Sequence, residues 1–276
     1  MRVRSYVWLG VLVAAAATEV RAQEQKPLPS ISDNSFLMEE AYNQEPGVVQ
    51  HISAFQLFRG ADSWAYSFTQ EWPLFSRTHQ LSFTVPIQRI RNGSSFATGL
   101  GDVGVNYRYQ LVAGERLSVS PRLSLLLPTG RAKSELGAGA LGVQVNMPAS
   151  VVVASKVVTH WNAGGTITPS AQDAVGDRAT TVGCNLGASV VWLLRPTFNF
   201  LLEVVWTREE AVTGAGRTAA SHELAIGPGI RWAHNFSSGL QIVPGIAFPI
   251  GVGPSAGDDA LLLYLSFEHP FRKVSR

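Results

Sequence analysis

Asp102-Val103-Gly104-Val105-Asn106-Tyr107-Arg108-Tyr109-Gln110-Leu111 alternates from end to end. Val103, Val105, Tyr107, Tyr109 and Leu111 take one phase; Asp102, Gly104, Asn106, Arg108 and Gln110 take the other. Successive side chains of a β-strand point to opposite faces, so this stretch has one apolar and one polar surface. A helical period would mix the two. The same rule sets Trp64, Tyr66, Phe68 and Trp72 against Ser63, Ser67, Thr69 and Glu71. It also sets Leu81, Phe83, Val85 and Ile87 against Gln80, Ser82, Thr84 and Gln88.

Period two persists from residue 48 onward. Twelve segments carry it: 48–57, 63–72, 79–90, 101–112, 116–127, 139–152, 157–168, 180–193, 197–206, 222–233, 240–250 and 258–269. Each reaches the roughly 9–11 residues that a tilted strand needs to cross a bilayer. Connections after even-numbered segments are short, while those after odd-numbered ones are mostly longer and rich in Gly and Ser. The predicted long ones are 91–100, 128–138, 169–179, 207–221 and 251–257; 58–62 is the short exception. Short turns at one end and longer loops at the other suit a barrel with both termini on the periplasmic side.

A soluble β-sandwich also alternates, but its exposed face should be rich in Lys and Glu. Here the polar phase is Ser, Thr, Asn, Gln and Gly with a few charges, which suits a wet interior. Trp64, Tyr66, Trp72, Tyr107, Trp192, Trp206 and Trp232 lie in the apolar phase, several near strand ends where interfacial aromatic girdles sit. The predicted fold is therefore all-β: a transmembrane antiparallel up-and-down β-barrel of about twelve strands, residues 48–271, behind a short periplasmic N-terminal segment. Inward positions are assigned to Asp102, Asn106, Arg108, Gln110, Arg122, Glu203, Glu223, Arg231 and Glu268. Mixed charges there can pair and rigidify the barrel or line a narrow aqueous path.

Composition agrees. The 276 residues are 46% hydrophobic and only 15% charged, against about 25% in an average soluble domain. Mean hydropathy is +0.11, an average over two opposite surfaces. One cysteine excludes a disulfide scaffold and a multi-cysteine metal module. Residues 1–22 read as a signal peptide: Arg2 and Arg4, an apolar core from Val7 to Ala17, then Val20-Arg21-Ala22 as cleavage site. That segment carries three of the 22 basic and one of the 20 acidic residues, so the remainder is neutral. No basic patch suggests a nucleic-acid partner. Residues 23–47 form a polar, acidic lead segment long enough to plug a barrel from the periplasmic side. Within it, 33–42 is compatible with a short helix capped by Asp33 or Ser35.

Several stretches resemble a known family. They are the run from Asp33-Asn34-Ser35-Phe36-Leu37-Met38-Glu39-Glu40-Ala41-Tyr42 to His51, then Thr69-Gln70-Glu71-Trp72-Pro73, Arg77-Thr78-His79-Gln80-Leu81-Ser82-Phe83-Thr84, Gly99-Leu100-Gly101-Asp102 through Tyr109, and Pro121-Arg122-Leu123-Ser124 through Gly130. Together they resemble the bacterial outer-membrane β-barrel transporter family also called the family of the MetA pathway of phenol degradation. The resemblance implies an outer-membrane location and transport, with aromatic solutes suggested by the family's name. It fixes no binding residue. Such barrels tend to end in an aromatic residue read by the barrel-assembly machinery. Here Phe271 has the right phase, but residues 272–276 extend past it.

Other motifs carry less. Gly99-Leu100-Gly101-Asp102-Val103-Gly104 spells G-x-G-x-x-G, yet a nucleotide site needs a helix after the glycines, and Asp102 would repel phosphate. His51 and Ser53 share a face, like the His-x-Ser pair of an outer-membrane phospholipase, without the rest of that enzyme's motif. The remaining histidines show no metal-ligand spacing. The expectation is a non-enzymatic barrel without cofactor or metal, whose partners are outer-membrane lipids, the assembly machinery and a small-molecule solute. A closed barrel binding a partner through loops 128–138 and 207–221 is the second reading, and a lipid hydrolase the third.

Overall fold

The computed structural model describes residues 35–60, 62–92 and 94–270. Residues 1–34, which hold the predicted signal peptide and the first part of the lead segment, lie outside the described residues, as do Phe271 and the 272–276 tail. Twelve strands follow one another: β1 Val48–Phe58, β2 Ser63–Leu74, β3 His79–Asn92, β4 from Ser95–Leu100 and Val103–Tyr109, β5 from Leu117–Val119 and Arg122–Leu127, and β6 from Gly142–Asn146 and Ala149–Ala154. Then come β7 Val157–Gln172, β8 Arg178–Arg195, β9 Phe198–Gly214, β10 Arg217–Trp232, β11 from Gln241–Ala247 and Ile250–Gly251, and β12 Ala260–Pro270. Two-residue pieces, Val112–Ala113 and His234–Asn235, carry β4 and β10 into their turns.

Every neighbour in sequence is a neighbour in space and antiparallel, and β12 closes onto β1 from Val48↔Pro270 to Phe58↔Ala260. Several interruptions fall at prolines, which lack an N–H for the ladder. Pro121 splits β5, Pro148 splits β6 and Pro249 splits β11. Their carbonyls still accept across the gap: Tyr109 N donates to Pro121 O at 3.0 Å, and Ser120 N to Pro148 O at 3.1 Å. The ladder therefore continues past these points.

The wall is inside-out relative to a soluble protein. Leu125, Val145, Trp161, Leu186 and Trp192 face outward and are 43–53% exposed, whereas Gln50, Gln80, Ser124, His160, Glu203 and Arg231 face inward and are at most 1% exposed. No helix among the described residues is long and apolar enough to cross a membrane; the crossing elements are strands. The aromatic residues expected at interfaces all take the outward phase. Trp72, Tyr107, Trp192 and Trp232 lie toward the end with the termini, and Trp64 and Trp206 toward the other, with Tyr66 one outward step from Trp64.

The structure corrects three predicted loops. Residues 91–100 are the tip of the β3–β4 hairpin, where Asn92 pairs with Ser95. Within 207–221, β9 and β10 stay paired up to Gly214↔Arg217. There the chain turns through Gly216, at φ +67°, a left-handed conformation that favours glycine. Most of 169–179 is likewise strand. The reason is physical. Above the apolar band both faces of a strand meet water, so hydrophobic alternation stops while the backbone ladder continues. β8, with 18 residues, is far longer than a crossing requires. A long irregular connection does remain at 128–141, with a short 3-10 turn at Ala132–Ser134.

The outward band makes the first prediction. Leu125→Arg places a charge among Val105, Leu123 and Val143 on the apolar exterior. It should destabilise the barrel folded in lipid vesicles by roughly 2–4 kcal/mol, read from denaturant unfolding. The inward Ser124→Thr, as a control, should cost well under half of that.

Candidate functional site

The lumen is occupied by the chain's own residues 35–45. They form no helix, contrary to the expectation for 33–42, because their amides are taken by the barrel rather than by carbonyls four residues back. Phe36 N and Leu37 N both donate to Glu203 Oε1 at 3.1 Å. Glu39 exchanges a reciprocal pair with Asn162: its N–H donates to Oδ1 at 3.1 Å, and its carbonyl accepts from Nδ2 at 2.7 Å. Ala41 N donates to Ser150 Oγ at 2.8 Å, while Ala41 O accepts from Gln110 Nε2 at 2.8 Å and Ser120 Oγ at 2.9 Å. Asn43 N donates to Gln110 Oε1 at 3.0 Å and Gln44 N to Gln80 Oε1 at 2.7 Å. The lumen thereby supplies the partners that a buried backbone segment requires.

Two arginines fix its path. Arg108 on β4 donates through Nη2 to Tyr42 O at 2.7 Å, through Nη1 to Glu40 O at 3.2 Å and through Nε to Asn43 Oδ1 at 3.0 Å. Arg122 on β5 meets the Glu39 carboxylate, with Nη2 at 2.6 Å from Oε1 and Nε at 2.8 Å from Oε2. The fork geometry is the strong form of this pair. Asn106 and Gln144 accept from the same guanidinium at 3.1 and 2.8 Å.

Apolar side chains of the segment press into hollows left by glycines. A Cβ on Gly245 would come 2.5 Å from the Phe36 ring, and one on Gly229 2.7 Å from it. One on Gly187 would lie 2.7 Å from Met38 Sδ, and one on Gly227 3.2 Å from Leu37. Phe36 also packs on Tyr264, with ring centroids 5.2 Å apart. Wall and segment are thus complementary in shape as well as in hydrogen bonding.

The residues assigned inward from sequence divide into two groups. Asn106, Arg108, Gln110, Arg122 and Glu203 touch the segment or the side chains that hold it. Glu268 belongs to the same network through Gln50, which donates to Glu268 Oε1 at 2.9 Å and accepts from Gln44. Arg231 is buried at the same level, opposite Gly245 and Asn199. Asp102 and Glu223 stand apart. Asp102 sits at the mouth, accepting from Gly130 N at 2.9 Å and Ala138 N at 2.7 Å, so it clamps the 128–141 connection. Glu223 has the inward phase but lies in the exposed upper part of β10. Sequence reading missed the neutral anchors Ser120, Ser150, Asn162 and Ser189, the last meeting Ser35 hydroxyl to hydroxyl at 2.7 Å. Their only signal is strand phase, because isolated Ser and Asn carry no motif.

Two cavities flank the segment. One of about 430 Å³ lies between Met38, Glu39 and the inner faces of β5 to β9; another of about 350 Å³ lies toward β1 to β5. Met38, Glu39, Arg122, Leu126 and Gln144 line both, so the Arg122–Glu39 pair forms the partition. The other motifs resolve locally. The G-x-G-x-x-G run leads into strand Val103–Tyr109, with Gly101 N on Pro86 O at 2.9 Å. Ser53 Oγ meets Tyr66 Oη at 3.2 Å, and His51 meets His269 instead, Nε2 to Nε2 at 3.2 Å. Ser150 and His160 do form a close pair, at 2.7 Å, but beneath Ala41 and Tyr42, where Ser150 anchors the segment.

The fit of Phe36 against Gly245 can be tested. Gly245→Ala should lower the barrel's stability by about 1–3 kcal/mol through overpacking, seen as earlier loss of heat-resistant gel migration. Adding Phe36→Ala should recover part of that loss, since the clash partner is gone.

Comparison with known proteins bears on the architecture. The fold is similar to the COG4313 outer membrane channel from Pseudomonas putida F1, with a TM-score of 0.57 at 12% identity over 83% of this chain and 97% of that one. It is also similar to the NanC porin, with a TM-score of 0.52 at 9% identity over 80% of this chain and 98% of that one. A scan against protein-family models matches none, and the search of curated proteins returns no match. At such identities the likeness establishes architecture: the chain folds as an outer-membrane-type β-barrel of twelve strands.

Proposed function

We propose that this protein is a passive channel for small solutes in the outer membrane of a Gram-negative bacterium, with residues 35–45 as its internal constriction. The observation that carries the reading is the divided, polar lumen: two cavities sharing one thin partition built on Arg122 and Glu39. The apolar exterior supports the membrane location, and lipids and the assembly machinery are its partners there. The resemblance to the transporter family of phenol degradation supports small aromatic solutes. The lining narrows that class to aromatics carrying a polar substituent, because Arg122, Asn146, Asn162, Thr166 and Gln144 offer hydrogen bonds rather than a greasy path. No nucleophile, metal or cofactor takes part in this reading.

The density of contacts on residues 35–45 favours a second reading, a closed structural barrel whose segment never leaves. Recording from the full chain in planar bilayers, together with liposome swelling, separates the two. Wild type should show small, steady conductance. Glu203→Ala combined with Arg122→Ala unties the segment at two points, and conductance should rise several-fold with loss of size selectivity. Wild type that is tight while the double variant conducts would make the segment a gate on the same channel. Both proteins electrically silent and solute-tight would establish the closed barrel instead.

A further inference from the structure

The upper rim of β3 and β4 carries charge on the outward side of the wall. β3 points Phe83, Val85 and Ile87 outward, then Arg89 and Arg91 in the same phase. Across the hairpin the outward partners are Leu100 for Ile87, Thr98 for Arg89 and Phe96 for Arg91. Reading upward, the surface changes from apolar to cation and hydroxyl, then to cation and aromatic ring. Arg89 is also level with Trp64 on β2, one of the interfacial tryptophans. Ten residues separate it from His79 at the opposite end, about 25 Å of height for a strand tilted near 40°. That matches the thickness of an outer-membrane apolar band, so the two arginines stand where acyl chains give way to headgroups.

A single interfacial arginine would simply reach up into water. This pair is held instead. The Arg89 guanidinium carbon lies 4.3 Å from the Phe96 ring centroid and that of Arg91 4.9 Å from it, so one ring fixes both cations. Arg89 Nε is shielded from solvent and has no hydrogen-bond partner. Arg91 reaches Asp62 at 3.5 Å, but both side chains are at least half exposed, and such a surface pair is weak. Two like charges on one ring, above a lipid-facing surface, leave room for an anion with several oxygens. Phosphate suits the planar fork of arginine, and Thr98 supplies a hydroxyl beside it. The hollow between Phe96–Leu100 and Thr129, Arg131 and Ser134, about 430 Å³, brings a third arginine to the same rim.

We propose that the outward rim formed by Arg89, Arg91 and Phe96 binds the phosphate of a phosphorylated glycolipid in the outer leaflet. The inference rests on the barrel lying in a membrane, and the test scores the two separately. Insertion is read first, as protease protection of the barrel in phosphatidylcholine vesicles. The full-length protein in neutral detergent is then titrated with diphosphoryl lipid A and with its dephosphorylated form, counting lipid adducts by native mass spectrometry. Wild type should retain diphosphoryl lipid A, while Arg89→Gln with Arg91→Gln should weaken it about tenfold or more. Arg116→Gln with Arg195→Gln, which removes two exposed charges at the other end, should leave it unchanged.

Equal retention by the rim variant and wild type overturns the site, and so does equal binding of the dephosphorylated lipid. Displacement by millimolar inorganic phosphate would show a free-phosphate site and equally overturn the lipid assignment. Failure of wild type to insert would overturn the membrane reading itself, and this one with it. A rim variant that inserts normally but loses the adduct supports the proposal against a folding defect.

Discussion

A backbone in hydrocarbon has no water to pair with, and each unsatisfied amide or carbonyl costs several kcal/mol. The pairing of β1 with β12 meets that constraint by abolishing the two edges an open sheet would leave. Much else follows from closure. Once the sheet is a cylinder, alternation sends every second residue to lipid and every second one inward, and turn lengths need only rejoin adjacent strands. Even the proline interruptions respect it, since the neighbouring carbonyls continue to accept across each gap.

The same requirement recurs inside. Residues 35–45 belong to no sheet, so their amides and carbonyls need side chains in place of a ladder. Glu203, Asn162, Ser150, Gln110, Gln80 and Arg108 meet that need, drawn from β9, β7, β6, β3 and, for Arg108 and Gln110, β4 with its extension. A sheet ladder repeats one geometry and is indifferent to sequence; this arrangement depends on individual side chains at individual heights. That makes the segment's position specific, and it explains the glycines at 187, 227, 229 and 245. They trade packing in the wall for hollows that fit Met38, Leu37 and Phe36.

How legible this was depended on whether a residue's role obeyed a period. Strands and facing were readable because lipid on one side and water on the other impose period two, as at Val103–Tyr109. Above the membrane that asymmetry vanishes, and so 207–221 looked like a loop although β9 and β10 remain paired through it. Arg108, Arg122 and Glu203 stood out as charges in an inward phase. Ser150, Asn162 and Ser189 are equally necessary but chemically unremarkable in sequence. The lead segment's path could not be read at all, since its hydrogen-bond partners lie as far as 167 residues away in the chain.

The distribution of charge across the wall divides the molecule's tasks. Inward arginines at 108 and 122 are met by carboxylates and carbonyls of the same chain, so they contribute order rather than attraction for an incoming ion. Outward arginines at 89 and 91 are met mainly by an aromatic ring, which orients a cation without neutralising it. A charge compensated within the chain serves the fold; one that is oriented but left uncompensated is available to a partner outside it. By that criterion the charges of the lumen serve the order of the chain itself, and the rim holds the charge on which the proposed lipid site depends.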